Sequence, residues 1–180
     1  MKRPRLRILL WLGLAAATAL AFVWPLFAPL GNARMLAQVF ASSAENYGIV
    51  AAPDHVSISR VGTANGEELP KSIDNLTEFK DLSPPIELNS ADTAMIARLL
   101  SAGSSYWNIQ KACSPKMGVA FRFQRGRGKV TVLLCLRCGI LAVYHGDKWI
   151  GGGVVFDSIK TELRGLAQRM FPNDSSLPPP

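Results

Sequence analysis

The sequence predicts an α+β protein: an N-terminal transmembrane helix, then one domain in which an antiparallel β-meander of about four to five strands is packed by two helices. Three observations support this prediction. Residues 8–30 are apolar and uncharged, hydrophobic side chains alternate with period two from residue 118 onward, and apolar stripes with helical spacing flank that alternating region. About 150 residues follow the apolar stretch, enough for one domain with its own core.

The stretch Ile8–Leu30 predicts a transmembrane anchor. As a helix it is roughly 35 Å long, enough to cross a bilayer. A basic cytoplasmic leader over residues 1–7 precedes it, with cations at Lys2, Arg3, Arg5 and Arg7. The alternative is a cleaved signal peptide, because Ala19-Leu20-Ala21 has the A-x-A form of a cleavage site. We expect an uncleaved anchor, since the apolar run continues past that site.

The anchor predicts a single-pass protein of the bacterial cell membrane with its C-terminal domain outside the cytoplasm, or a periplasmic or secreted protein if cleavage occurs. The net charge is +7, and the leader supplies more than half of it, which argues against nucleic-acid binding. A basic patch remains at Arg122, Arg125, Arg127 and Lys129. This patch either binds anionic lipid or another envelope protein, or is an ordinary solvated strand face and turn.

Residues 31–53 predict a juxtamembrane helix and a linker. Asn32 can cap this helix, and Tyr47-Gly48 would end it. Its apolar stripe consists of Met35, Leu36, Val39 and Phe40. We expect the helix to pack on the domain or to lie at the membrane surface.

The globular domain is predicted over residues 54–172. It begins with a half-buried strand at His55–Val61, followed by a long irregular connection over residues 62–88. Ser83-Pro84-Pro85 within that connection favours an extended, edge-type segment. A helix over about residues 91–102 then begins at a cap provided by Asn89 or Ser90.

The meander occupies the second half of the domain. Glycine-bearing turns separate strands that begin near Val119, Val130, Ile140 and Trp149. Three consecutive glycines, 151–153, predict a bulge in the fourth strand. A final helix capped by Asp157 or Ser158 ends before Pro172, and a disordered proline-rich tail is predicted over residues 173–180.

The three cysteines, Cys113, Cys135 and Cys138, are the candidate chemical site. In an oxidising compartment, a disulfide from Cys113 to Cys135 or to Cys138 would tie the loop before the meander to the sheet. Two alternatives remain. The three sulfurs with His145 would complete four zinc ligands, and Cys135-x-x-Cys138 has the form of a redox motif. We otherwise expect no cofactor and no catalytic residue, since neither a G-x-S-x-G elbow nor a phosphate-binding motif occurs.

A pattern around these cysteines resembles small, uncharacterised exported bacterial proteins. It comprises Lys111-Ala112-Cys113-Ser114-Pro115, Gly118-Val119 with Phe121 and Phe123, Val130–Cys138, and Phe171-Pro172. An aromatic residue often stands in that pattern where this chain has Leu136. The resemblance covers residues 95–172 and implies a membrane-anchored or exported extracytoplasmic domain without assigning a catalytic residue. We therefore expect a non-enzymatic interaction or structural module of the cell envelope.

Overall fold

The computed structural model of the protein describes residues 32–64 and 72–177. The leader and the anchor predicted at Ile8–Leu30 lie outside these residues. Within the described ranges, no helix is both long and apolar enough to cross a bilayer. The α+β class is confirmed, and the described chain contains four helices and one antiparallel sheet.

The helices and strands follow one another in an order close to the predicted one. The helices are α1 (residues 32–39), α2 (Ala44–Ala51), α3 (Ser90–Ser101) and α4 (Lys160–Met170). The strands are β1 (His55–Thr63), β2 (Phe79–Asp81), β3 (Ile86–Glu87), β4 (Val119–Arg125), β5 (Gly128–Cys135), β6 (Ile140–His145) and β7 (Lys148–Val155). The described part of the chain contributes seven strands to the sheet instead of four to five. β3 follows the segment predicted as extended and edge-type, whereas β2 arises from the connection predicted as irregular.

The sheet is antiparallel throughout and has the strand order β2-β1-β4-β5-β6-β7, with β3 also pairing with β1. The predicted meander is the run from β4 to β7. One face of the sheet packs against the helices in the main core, where Phe121, Val132 and Val143 meet Ile96, Leu100 and Leu163. The opposite face carries a smaller cluster that includes Leu133, Cys135 and Tyr144. Burial of both faces explains why β5 reads as a nearly continuous apolar run.

The predicted juxtamembrane helix is two helices. Ala41 and Ser42 adopt positive φ angles of 54° and 57°, which end α1 and redirect the chain. Ser43 then caps α2, because its hydroxyl oxygen accepts a hydrogen bond from the Asn46 amide at 3.2 Å. Val39 and Phe40 are almost completely buried, so this segment packs on the domain core.

The start of the final helix also differs from the prediction. A 3-10 turn over Asp157–Ile159 precedes α4, and neither predicted capping side chain caps the helix. The Asp157 carboxylate instead binds Lys111, and the Ser158 hydroxyl donates to the Ser105 carbonyl at 2.9 Å. Contacts to the preceding loop therefore replace the local caps.

The predicted disordered tail is ordered through Leu177, which is only 8% exposed and joins the main core. Three residues earlier, the carboxylate of Asp174 reaches Arg60 of β1. Residues 178–180 lie outside the described residues. These tertiary contacts hold a segment whose composition alone predicts disorder.

The glycine run does form a bulge, as predicted. The pairing of β6 with β7 shifts between Ile140 and Ala142 and again between Val143 and Tyr144. Gly152 has a φ of 115°, a conformation that side-chain-bearing residues rarely adopt.

The sheet has two ends with different contents. At the end that we call the cysteine end, β5 stops at Cys135, β6 begins at Ile140 and β7 stops at Val155. At the opposite end, which we call the hairpin end, lie the two tight turns at residues 126–127 and 146–147. The seven residues of β4 place these ends roughly 20 Å apart.

Candidate functional site

Cys113 and Cys138 form a disulfide at the cysteine end, with their Cα atoms 6.1 Å apart and a sequence separation of 25. Cys138 lies in the turn between β5 and β6. Gly139 closes that turn with a φ of 69°, and its amide donates to the Cys135 carbonyl at 2.8 Å. Of the two pairings that the sequence left open, the structure therefore contains the one between Cys113 and Cys138.

Cys135 is a free, fully buried thiol. As the last residue of β5, it directs its side chain into the smaller cluster on the second face of the sheet. The Cys138 amide donates a hydrogen bond to the Cys135 sulfur at 3.3 Å. All three cysteines thus surround one turn, although only two of them are bonded.

Three cations bind the backbone of this turn, and sequence reasoning did not identify them. The carbonyls of residues 136–138 accept, in order, from Arg164 at 3.0 Å, from Lys160 at 3.0 Å and from Lys111 at 2.8 Å. Charged donors form stronger hydrogen bonds than neutral ones, so the turn is held rigidly in addition to its disulfide. The i, i+4 spacing of Lys160 and Arg164 on α4 was the available sequence signal.

Asp157 completes this arrangement. Its carboxylate lies 2.5 Å from the Lys111 ammonium and 3.6 Å from that of Lys160. The hydrogen bond from Lys111 is the main reason that the pKa of Asp157 lies below its ordinary value. The group therefore stays ionised and holds the Cys113 loop against the start of α4.

The structure does not bring the predicted zinc ligands together. His145 lies at the hairpin end, about 17 Å along β6 from Ile140. Its Nδ1 atom is 2.7 Å from the side-chain oxygen of Asn46. Over residues 32–64 and 72–177, no group of three or more His, Cys, Asp or Glu side chains is arranged to hold a metal ion.

The predicted basic patch divides into two environments. Arg122 lies on the second face of the sheet and binds Asp81 at 2.7 Å and Ser59 at 2.6 Å. Arg125 donates to the Gly48 carbonyl of α2 at 3.1 Å. Arg127 and Lys129 are exposed at the hairpin end. Two of the four cations therefore support the fold, and two remain available to solvent.

No protein family, curated protein or solved structure matches this chain. The resemblance of residues 95–172 to exported bacterial proteins stays a prediction.

A groove of about 730 Å³ lies between the end of α2 and α3. Small side chains line most of it, with His55 and Arg98 as its larger polar groups. Asp54 does not orient His55, because its carboxylate accepts a hydrogen bond from the Gly126 amide at 2.7 Å. The groove therefore has hydroxyl groups and one histidine in its lining, but the neighbouring carboxylate does not orient that histidine as a hydrolytic site requires.

Two exposed apolar side chains at the cysteine end were also missed. Trp107 is 55% exposed and Ile109 is 53% exposed, although the neighbouring Tyr106 is buried. Backbone hydrogen bonds of 2.8 and 3.0 Å join Trp107 to Val155. The indole is thus held outward at a fixed position on the sheet edge.

Proposed function

We propose that this protein is a membrane-anchored extracytoplasmic module of the bacterial cell envelope that acts through binding and carries out no catalysis. The observation that carries the proposal is the disulfide between Cys113 and Cys138. Disulfides persist outside the cytoplasm, and this one closes a loop whose constraint is worth about 3.5 kcal/mol. It therefore supports the location that the apolar stretch Ile8–Leu30 predicts.

Thiol counting on the full chain in isolated membranes tests this proposal. In denaturant without reductant, a maleimide of defined mass should label one thiol, that of Cys135. With reductant, it should label three. Mass spectrometry of the same sample determines whether Ile8–Leu30 is retained. Three labelled thiols without reductant would contradict an oxidised domain, and protease resistance in intact spheroplasts would contradict an external one.

A thiol-redox or zinc-binding protein that uses Cys113, Cys135 and Cys138 is the second candidate. It is favoured by one observation, the proximity of the Cys135 sulfur to the Cys138 amide. The reduction potential separates the two candidates. A structural disulfide has a potential below about −300 mV, whereas catalytic disulfides lie near −120 to about −270 mV. A value in the upper range, or zinc retained by the reduced protein, would favour the second candidate.

A further inference from the structure

The cysteine end of the domain is where the chain arrives from the predicted anchor. A methyl group built on Gly103 would lie 2.5 Å from the Asn32 carbonyl oxygen, so the start of α1 rests directly on the turn that precedes Trp107. From there, α1 runs toward the hairpin end, because the carbonyls of Gln38 and Val39 lie against Gly151. The first described residue therefore lies at the same end of the domain as the exposed Trp107.

The connection between anchor and domain is short. Leu30 and Asn32 are two positions apart, which allows at most about 7 Å of extended chain. If Ile8–Leu30 crosses the bilayer, this short connection holds the start of α1, and with it the cysteine end, close to the lipid surface. The exposed cations Arg127 and Lys129 of the predicted patch lie at the other end of the sheet.

The same end presents cations that the fold does not use. Lys116 and Arg137 are exposed, and neither side chain makes an ion pair among the residues that the structure describes. Asp157, in the 3-10 turn before α4, is already paired with Lys111 and Lys160. Lys116 and Arg137 are therefore exposed cations at the same end of the domain as the two exposed apolar side chains, where the exposed Glu162 of α4 also lies.

We propose that the surface formed by Trp107, Ile109, Lys116 and Arg137, which we call the docking surface, binds the anionic lipid surface of the membrane that holds the anchor. Tryptophan side chains favour the membrane interface, and cations near the surface are attracted to anionic head groups. The proposal rests on the proposed function, because the anchor brings this end to the lipid. Docking fixes the domain upright, with its hairpin end presented to partners.

Tryptophan fluorescence in lipid bilayers tests the proposal. The full chain is reconstituted into anionic vesicles that contain lipids with brominated acyl chains, which quench nearby indoles. Three variants each retain one tryptophan, Trp24, Trp107 or Trp149, and carry Phe at the other three positions. Trp24 reports the anchor, and Trp107 reports docking. Trp149 is the matched control, since it is 37% exposed but lies at the hairpin end of β7.

We expect strong quenching of Trp24, clear quenching of Trp107 and none of Trp149. If Trp24 is quenched but Trp107 is quenched no more than Trp149, docking would be overturned and the anchor would stand. Quenching of Trp107 without Trp24 would support docking but contradict the anchor. If neither Trp24 nor Trp107 is quenched, both the membrane anchor and the docking surface would be overturned.

Charge reversal supplies a second test that keeps Trp107 in place. In the Trp107-only chain, K116E/R137E should lower quenching about twofold or more in anionic vesicles. R127E/K129E changes the net charge equally at the hairpin end and should leave quenching unchanged. Equal quenching in zwitterionic and anionic vesicles, with no effect of K116E/R137E, would overturn the assignment of these cations to the lipid head groups.

Discussion

The guanidinium of Arg60 and the carboxylate of Asp174 lie 2.5 Å apart, although their sequence separation is 114. Ser176 joins the pair, because its hydroxyl accepts from Arg60 at 2.8 Å and donates to the other oxygen of Asp174 at 2.5 Å. The Arg60 side chain is only 10% exposed. A charge in β1 is therefore neutralised by the segment that follows the last helix.

Removing this partner should destabilise the fold. Asp174→Asn leaves the buried guanidinium of Arg60 without its counter-charge, and we expect a loss of about 2 kcal/mol in the free energy of unfolding. Urea denaturation at neutral pH measures it. Asp147→Asn is the control, because the Asp147 side chain is exposed and makes no ion pair within the described part of the chain. Equal midpoints for the two variants would contradict the role of this pair.

Lowering the pH should remove the stabilisation that the Asp174 carboxylate provides. The Ser176 hydroxyl and the Arg60 guanidinium lower the pKa of Asp174 from 3.8 to about 2. A carboxyl whose pKa is lower in the folded state than in the unfolded state stabilises the fold at pH values above its unfolded pKa. This stabilisation is lost as the pH falls toward 2. Because the Asp174 side chain is 28% exposed, we expect a contribution of about 1–2 kcal/mol. Stability measured from pH 5 to pH 2 should fall less steeply in Asp174→Asn than in the wild type.

The disulfide should contribute more to stability than the third cysteine. Replacing both Cys113 and Cys138 with Ser should cost about 3.5 kcal/mol, since the unfolded chain regains the freedom of the open loop. Cys135→Ala removes only a buried sulfur and should cost about 1 kcal/mol. Urea unfolding of both variants, with and without reductant, makes the comparison. Reductant should lower the midpoint of Cys135→Ala and leave that of the double variant unchanged.

The glycine bulge provides a matched pair of substitutions. A Cβ atom at Gly152 would lie 2.5 Å from the Leu141 carbonyl oxygen, whereas one at Gly153 would meet nothing within 4 Å. Both residues have positive φ angles, 115° and 69°. We expect Gly153→Ala to cost about 1 kcal/mol through its backbone alone and Gly152→Ala to cost about 3 kcal/mol or more. Thermal unfolding of both variants measures these losses in stability. Equal losses would contradict the described register between β6 and β7.

The meander could be predicted because its signals are local. Val119, Phe121 and Phe123 alternate with smaller or polar residues, and their side chains do face the main core. Glycines at positions 126 and 146 provide the positive φ angles that the two tight turns require. Alternation and turn chemistry act over a few residues, so they can be recognised without knowledge of the rest of the fold.

The break between α1 and α2 could not be predicted in this way. Its two left-handed residues are Ala41 and Ser42, which carry no sequence signal for that conformation. Tertiary contacts determine it, because Phe40 is buried and its carbonyl accepts from the Asn46 side chain at 3.5 Å. The apolar stripe correctly indicated the helix before the break. It could not indicate the change of direction, or that α2 continues past the predicted end at Tyr47-Gly48 to Ala51.

The candidate site was predicted in composition but not in geometry. The sequence identified three cysteines near one turn, and the choice of Cys138 depended on side-chain directions at the end of β5. The exposure of Trp107 could not be predicted either, because an aromatic residue next to the buried Tyr106 suggests core packing. Only the position of the sheet edge shows that its indole is exposed.

The ordered segment from Asp174 to Leu177 has a consequence for how the protein is made. At synthesis rates of roughly 5–20 residues per second, Asp174 is added about 6–23 s after Arg60. Until then, the guanidinium must remain hydrated, and β1 cannot settle into its final environment. A chain truncated before Asp174 therefore has an incompletely packed β1, and such a truncation should make the domain prone to aggregation.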